Sequence, residues 1–385
     1  MGETKKTDKR RKEDNDDPWD EYNYTAKEIQ EMNHKIDQYQ DQDPSILTTE
    51  RKRKCTSVSK IAKKRKISEI KSENKGNEML GWVSATKTKN YLLNDQAVDW
   101  LSYYFDKYGI GEEELSEEEK VQNKLLLKDA SHLNVLLEGG NIFERKVYDE
   151  LKIIYGDDFV EVMDEQDMEI FRNKRVIDGV LREKNLYTYE LMNKGVPIIA
   201  QAPLINDTNQ TYGIADILIR SDYLEVMFNV FNPDTEIMKK ATKLKMRKNM
   251  SYHYRVIDCK WTTMVLCVDG ATIRNNGFIP AYKGQLAVYT AALGILQGYT
   301  PNYAYIMAKA WKIGKTNIDP SEQHLYKGFS AFDRLGIIDY KNKDRRFLDA
   351  TKKSIQWVQS VMTTGREWRY GETSPSVSEM HPNMN

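Results

Sequence analysis

Apolar positions are sparse up to about residue 78 and turn periodic from Trp82 onward. Ala97, Leu101, Tyr104 and Phe105 recur at helical spacing within 91–108. Phe143, Val147, Leu151 and Ile154 share one face of a helix expected over 142–154. Between these lie a Gly-Ile-Gly turn at 109–111, an acidic helix start at 112–119 and a Leu-rich helix over 122–137. Residues 169–193 read as mostly helical. Short apolar runs predict strands at 159–162, 196–204, 214–220, 254–261 and 264–268. Pro197 and Pro203 argue against a central place for the second run, because proline has no N–H for the ladder. Asp269-Gly270 signals a hairpin turn. A helix over 281–297, a strand over 303–310 and a final helix over 343–364 complete the pattern. The class is α/β, with helices interrupting a short mixed sheet. The expected organisation is a tail over 1–78, a helical cap over 79–134, a core over 135–342 and a C-terminal helix and tail over 343–385. A charged insertion over 221–253 separates two of the strands.

Charge sharpens this division. The 385 residues balance to zero net charge, with 30% charged. Residues 51–75 nevertheless hold eleven Lys or Arg against two Glu, a net of +9. The tail has too few aliphatic residues to bury and is expected to be disordered. Its clusters Arg51-Lys52-Arg53-Lys54 and Lys63-Lys64-Arg65-Lys66 read as a bipartite nuclear-import address, as a nucleic-acid-binding arm, or as a solubilising tail. Cys55, Cys259 and Cys267 supply neither a disulfide framework nor a four-thiolate cluster, which points to an intracellular compartment. No apolar stretch reaches the length of a membrane span, so no membrane partner is expected. Gly314-Lys315-Thr316 lacks the first glycine of a phosphate loop, so any helicase action would need a partner protein. The five histidines are too scattered for a zinc site.

The chemistry concentrates in two strands. Gly213-Ile214-Ala215-Asp216-Ile217-Leu218-Ile219 and Val256-Ile257-Asp258-Cys259-Lys260-Trp261 each place a carboxylate on an apolar run. With period two, Asp258 and Lys260 point the same way, and an apolar strand is a poor place for a lone charge. Two carboxylates and an ammonium on one sheet face point to a cation and a phosphate. Phosphodiester hydrolysis needs an activated water, charge neutralisation at phosphorus and help for the leaving alkoxide, all of which a divalent cation can supply. Mg2+ takes one or two carboxylates and keeps several waters, which Asp216 and Asp258 satisfy. The main-chain carbonyl of Cys259 is a candidate third ligand, while its thiol points to the other face. Lys260 would orient the attacking hydroxide and counter the phosphorane charge.

Asp216 followed by Asp258-Cys259-Lys260 resembles the PD-(D/E)XK nuclease superfamily. Gln285-Leu286-Ala287-Val288-Tyr289 is similar to the Q-x-x-x-Y pattern of its RecB-like exonuclease branch, with Gln285 and Tyr289 on one helical face. Gly140-Asn141-Ile142-Phe143-Glu144 falls where the family often has G-x-x-x-H, or a Glu in the helix. The resemblance covers roughly 135–312. It implies a restriction-endonuclease-like core and a Mg2+-dependent deoxyribonuclease, with Mn2+ as a substitute. Asp216, Asp258, Lys260, Glu144, Gln285 and Tyr289 would form the catalytic set, with Asp216, Asp258, the Cys259 carbonyl and Glu144 around the metal. Glu144 would assist the metal directly or through water, and Gln285 and Tyr289 would orient Lys260 or touch the DNA backbone. Exonuclease or flap-trimming action in replication, recombination or repair is what the branch implies. DNA, a helicase or replication factor and a nuclear-import receptor are the partners expected. Such cores also occur in large DNA viruses, so the compartment would be nuclear or a site of viral replication. Ala215 stands where the family's proline is usual, and the long gap from Asp216 to Asp258 implies an inserted subdomain.

Two rivals remain at this point: a non-catalytic nucleic-acid-binding scaffold on the same fold, and an RNA-directed nuclease. The basic stretch 234–250 reads equally as a DNA clamp or a solvated helix. Lys309, Trp311 and Lys312 read equally as a grip on a single strand or as packing plus solubility. Trp357 and Trp368 are expected in the core or a lid.

Overall fold

The computed structural model describes residues 81–108, 138–172, 177–228, 238–246, 250–314, 320–365 and 368. The basic tail, the Leu-rich helix expected over 122–137 and the polar tail after Trp368 lie outside the described residues. In chain order the elements are β1 (Val83–Ser84), α1 (Lys89–Leu92), α2 (Gln96–Tyr108) and α3 (138–155). Then come β2 (Phe159–Glu161), α4 (Glu165–Arg172), α5 (Ile177–Lys194), β3 (Ile198–Asn206) and β4 (Thr211–Arg220). They are followed by α6 (Leu224–Met227), β5 (Tyr254–Leu266), α7 (Ile279–Gln297) and β6 (Tyr303–Ile313). β7 (Lys327–Gly328), β8 (Leu335–Asp339) and α8 (Arg346–Thr363) close the described chain.

Eight strands form one open mixed sheet in the order β2-β3-β4-β5-β6-β7, with β1 beside β4 and β8 beside β6. β3, β4 and β5 run antiparallel in sequence, and β6 lies parallel to β5. A parallel neighbour needs a crossover, and α7 is that crossover. Pro280 sits in its first turn, where a missing N–H does no harm, and Gly298 at φ +73° ends it. One sheet face packs on α7 and α8, burying Leu218, Val256, Leu286 and Ile355. The other packs on α3 through Phe143, Val147, Leu151, Ile217 and Ile257. Burial on both faces explains why these strands read as continuous apolar runs.

Several expectations need correction. β3 is an interior strand between β2 and β4, although it carries Pro203. β2 pairs only with Ile198–Ala200, so Pro203 occupies a stretch paired on the β4 side alone and interrupts no second ladder. The helix expected over 91–108 is broken at Leu93–Asp95, where Asn94 turns left-handed at φ +58°. Leu101 and Ile154 are exposed rather than packed. The runs 254–261 and 264–268 merge into β5 through a bulge between Lys260 and Thr263. The start of the expected cap is tied into the core: β1 joins the sheet, and Ser354 Oγ of α8 donates to the Thr88 carbonyl at 2.9 Å. Of the basic stretch 234–250 the described residues, 238–246 and 250, form a strap rather than a helix. Lys243 N–H donates to the Gln297 carbonyl and Lys243 Nζ to that of Ile295, tying the strap to the C-terminal end of α7. Among the described residues no helix is long and apolar enough to cross a membrane.

Candidate active site

The β4–β5 ladder runs from Arg220–Tyr254 to Ile217–Ile257 and then stops. The next rung would be Asp216 opposite Asp258. The sequence therefore sets two carboxylates as cross-strand neighbours, where like charges destabilise pairing. In place of the ladder bond, Asp216 Oδ2 accepts the Cys259 main-chain N–H at 2.6 Å. N–H and C=O of one extended residue face the same edge, so the Cys259 carbonyl looks toward the Asp216 side. The Cys259 thiol packs in the α3-side core, as its strand position requires.

A second irregularity lies on the other flank of Asp216. β3 and β4 form every rung from Ile198–Ile219 to Asn206–Thr211 except Gln201–Asp216. Gln201 sits at φ +50°, a conformation non-glycine residues rarely adopt. The kink switches the sheet's faces. Ala200 belongs to the α3-side core, whereas Ala202, two residues on, belongs to the α7-side core. In β4, Ile217 and Ala215 divide in the same way. Backbone strain of this kind gathers where geometry serves a site.

The Gln201 side chain turns toward α3. Its Nε2 donates to Glu144 Oε1 and lies 3.1 Å from the Tyr148 hydroxyl. Tyr148 donates to Glu144 Oε1 at 2.6 Å, and its oxygen is 3.1 Å from the Asp216 carbonyl. Glu144 is thus fixed in rotamer and linked to Asp216 through one tyrosine. Burial raises the Glu144 pKa and Asp258 adds to this, against the Tyr148 hydrogen bond and Lys260. The Asp216 carboxyl is pushed well above its usual range by burial, then by Asp258 and Glu144.

Asp258 is fully buried, and its Oδ2 pairs with Lys260 Nζ at 2.6 Å. Apart from that ion pair, neither oxygen of Asp258 meets a donor among the described residues. Burial pulls the Lys260 pKa down, but Asp258 and Asp216 outweigh it and hold the ammonium charged. The Lys260 ammonium also lies 5.0 Å from the Tyr282 ring centroid. From α7, Gln285 Nε2 donates to the Tyr289 hydroxyl at 3.0 Å. The buried Tyr289 feels Asp258, Asp216 and Lys260, and its pKa is raised, chiefly by burial.

Asp216, Asp258, Lys260, Glu144 and Tyr289 therefore influence one another electrostatically, and Gln285 joins them through Tyr289. Among the described residues no group of three or more His, Cys, Asp or Glu side chains is arranged as a metal cage. The set that fits a cation is smaller: two facing carboxylates, one of them buried with an oxygen lacking a donor, and a main-chain carbonyl beside them. Hard oxygens of this kind suit Mg2+ better than a thiophilic metal.

Four residues of this neighbourhood escape a reading of motifs. Tyr148 follows Glu144 by four and shares its helical face, a legible signal. Tyr282 precedes Gln285 by three on α7. Gln201 stands out only as one amide in an apolar run. Trp261 follows Lys260 directly. By contrast Trp311 is core: its indole donates to Asp333 at 3.4 Å and Arg334 covers its ring at 4.4 Å. Trp357 and Trp368 pack on each other with centroids 5.4 Å apart. No protein-family model and no curated protein matches the chain.

Proposed function

We propose that this chain is a metal-dependent nuclease that hydrolyses phosphodiester bonds of DNA, built on a restriction-endonuclease-like core of the RecB-like kind. The observation that carries the reading is the nearness of the Asp216 and Asp258 carboxylates just past the end of the β4–β5 ladder, felt as like-charge repulsion at Asp216, with Lys260 on Asp258. The order of the elements supports it: a helix bearing Glu144, the two acidic strands, then the helix with Gln285 and Tyr289.

Asp216, Asp258 and the Cys259 carbonyl would hold Mg2+, with Glu144 assisting directly or through water. Bound there, the cation supplies charge neutralisation at phosphorus and acidifies the attacking water. Lys260 stays protonated, so it acts as a fixed positive charge and hydrogen-bond donor rather than as a base. It orients the nucleophile and offsets the charge that grows on the phosphorane oxygens. Tyr148 and Gln201 hold Glu144 in place. Gln285 holds the Tyr289 hydroxyl toward Lys260 or a backbone phosphate.

The test is cleavage of labelled single-strand, duplex and flap DNA by the full chain with Mg2+ or Mn2+, beside the Asp258→Ala variant and matched RNA. Metal-dependent DNA cleavage lost in Asp258→Ala is expected. Binding without cleavage would leave a scaffold on the same fold, and preference for RNA would move the substrate class.

A further inference from the structure

The bulge in β5 sits immediately after Lys260 and has a specific consequence. Lys260 pairs with Ala308 of β6, and the next pair is Thr263 with Ala310. Trp261 and Thr262 thus oppose the single residue Lys309. Bulges mark the neighbourhood of sites, and this one falls at Trp261 itself. Trp261 is 44% exposed, whereas Asp258 and Cys259 earlier in the same strand are buried. The Lys309 ammonium lies 3.9 Å from the Trp261 ring centroid. On the α3 side the ring rests on Gly139, whose added Cβ would meet Nε1 at 3.1 Å. Phe143 tilts against it with centroids 5.6 Å apart. The indole is therefore held on three sides and open to solvent on the rest.

We propose that Trp261 and Lys309 form a bracket for an unpaired nucleotide: the indole stacks on its base, and the lysine takes its phosphate. The inference rests on the nuclease reading and names the substrate class of that site as single-stranded or frayed ends. A base inside a duplex has both faces covered by neighbours, so only an unpaired or terminal base can stack on a protein ring. A cation over an indole is attracted to its face but is free to move to a phosphate when a base displaces it. Trp311, on the adjacent strand and buried, cannot serve in this way.

The test is binding by the full chain in EDTA, where no metal-dependent cleavage occurs, followed by fluorescence anisotropy. The probes are labelled oligothymidine and a labelled, covalently closed circular duplex, which has neither ends nor loops. Wild type is expected to bind the single strand more tightly than the closed duplex. Trp261→Ala is expected to weaken single-strand binding roughly tenfold or more and to leave the closed duplex unchanged, while Trp261→Phe retains most of the affinity. Lys309→Met is expected to flatten the salt dependence by about one phosphate contact. Wild-type failure to bind the single strand overturns the bracket, as does wild-type affinity in Trp261→Ala or an equal loss on both probes. Thermal melting of each variant checks that the fold survives. Cleavage with Mg2+ but no effect of Trp261 overturns the bracket alone. Trp261-dependent binding with no cleavage under any metal overturns the nuclease reading alone.

Discussion

Asp216 Oδ2 accepts the main-chain N–H of Cys259 at 2.6 Å. A side chain of β4 thus supplies the hydrogen bond that the β4–β5 ladder ceases to make after Ile217–Ile257. The bond has two effects. It leaves no orphan N–H where the strands part, and it pins one carboxylate beside the Asp258-Cys259-Lys260 run.

The metal-free protein should therefore be strained in a pH-dependent way. Burial and the neighbouring Asp258 raise the Asp216 carboxyl above its ordinary value of 3.8, and burial raises that of Glu144 above 4.5. Each group binds its proton more tightly folded than unfolded. Their contribution to stability is full below the unfolded values and is lost as pH rises through the folded ones. In EDTA, Tm should fall as pH climbs from about 4, and Asp216→Asn should flatten that fall while keeping the bond to Cys259. At pH 8 the substitution should raise Tm by about 2 °C, for ~1 kcal/mol of relieved repulsion. It should also abolish cleavage. A Tm profile identical to wild type would show that the carboxylates do not oppose each other.

Lys260→Met separates charge from packing. The side chain keeps its length and apolar stem but leaves Asp258 without the ammonium it pairs with. Loss of one partner of a buried pair typically costs about 3–5 kcal/mol. The variant should melt well below wild type in EDTA and recover much of the deficit with Mg2+, because the cation replaces the ammonium as counter-charge. Turnover should drop by roughly 10²–10⁴, with Mg2+ binding by calorimetry retained. An equal Tm deficit with and without Mg2+ would mean that the metal does not sit on Asp258.

Much of this site was legible because it obeys short-range periodicity. Asp258 and Lys260 share a face by the two-residue repeat, and Gln285 and Tyr289 by the four-residue repeat, so each pair follows from spacing alone. The α3 face was readable through Phe143, Val147 and Leu151, although the exposed Ile154 breaks it in the last turn. What the sequence hides depends on long-range pairing. The face switch at Ala200 and Ala202 comes from a left-handed Gln201, a conformation no residue pattern announces. The bulge at Trp261 is defined by pairing with β6, more than forty residues away. The interior place of β3, despite Pro203, follows from the shortness of β2. Each of these is a property of two strands together.

Gln201 offers a direct test of stored strain. A non-glycine residue at φ +50° costs on the order of 1 kcal/mol, which glycine avoids. Gln201→Gly should relieve the backbone while removing the donor to Glu144, so the two effects offset and Tm should stay within about 2 °C of wild type. Gln201→Ala keeps the strain and loses the bond, and should melt lower than the glycine variant by several degrees. Both should lower turnover, by roughly tenfold, because Glu144 loses one of its two anchors. If alanine and glycine variants melt together, the left-handed conformation carries no cost at this position.

Gly213 of β4 lies under the Tyr289 ring, and a Cβ added there would stand 2.5 Å from Tyr289 Cε1 and 3.3 Å from the Ala85 Cβ. Tyr289 is 3% exposed and held by Gln285, so the ring has nowhere to retreat. A glycine inside a strand often marks such close approach. Gly213→Ala should destabilise by ~1–3 kcal/mol through overpacking, and should reduce cleavage more than its stability loss explains, because it displaces a ring that feels the charges of Asp258, Asp216 and Lys260. The clash requires both partners. In a Tyr289→Ala background, where the space is vacant, the added methyl should cost less than ~0.5 kcal/mol. Denaturant unfolding of the two single variants and the double variant measures the coupling directly. Additive losses would place the effect of residue 213 somewhere other than under the tyrosine ring.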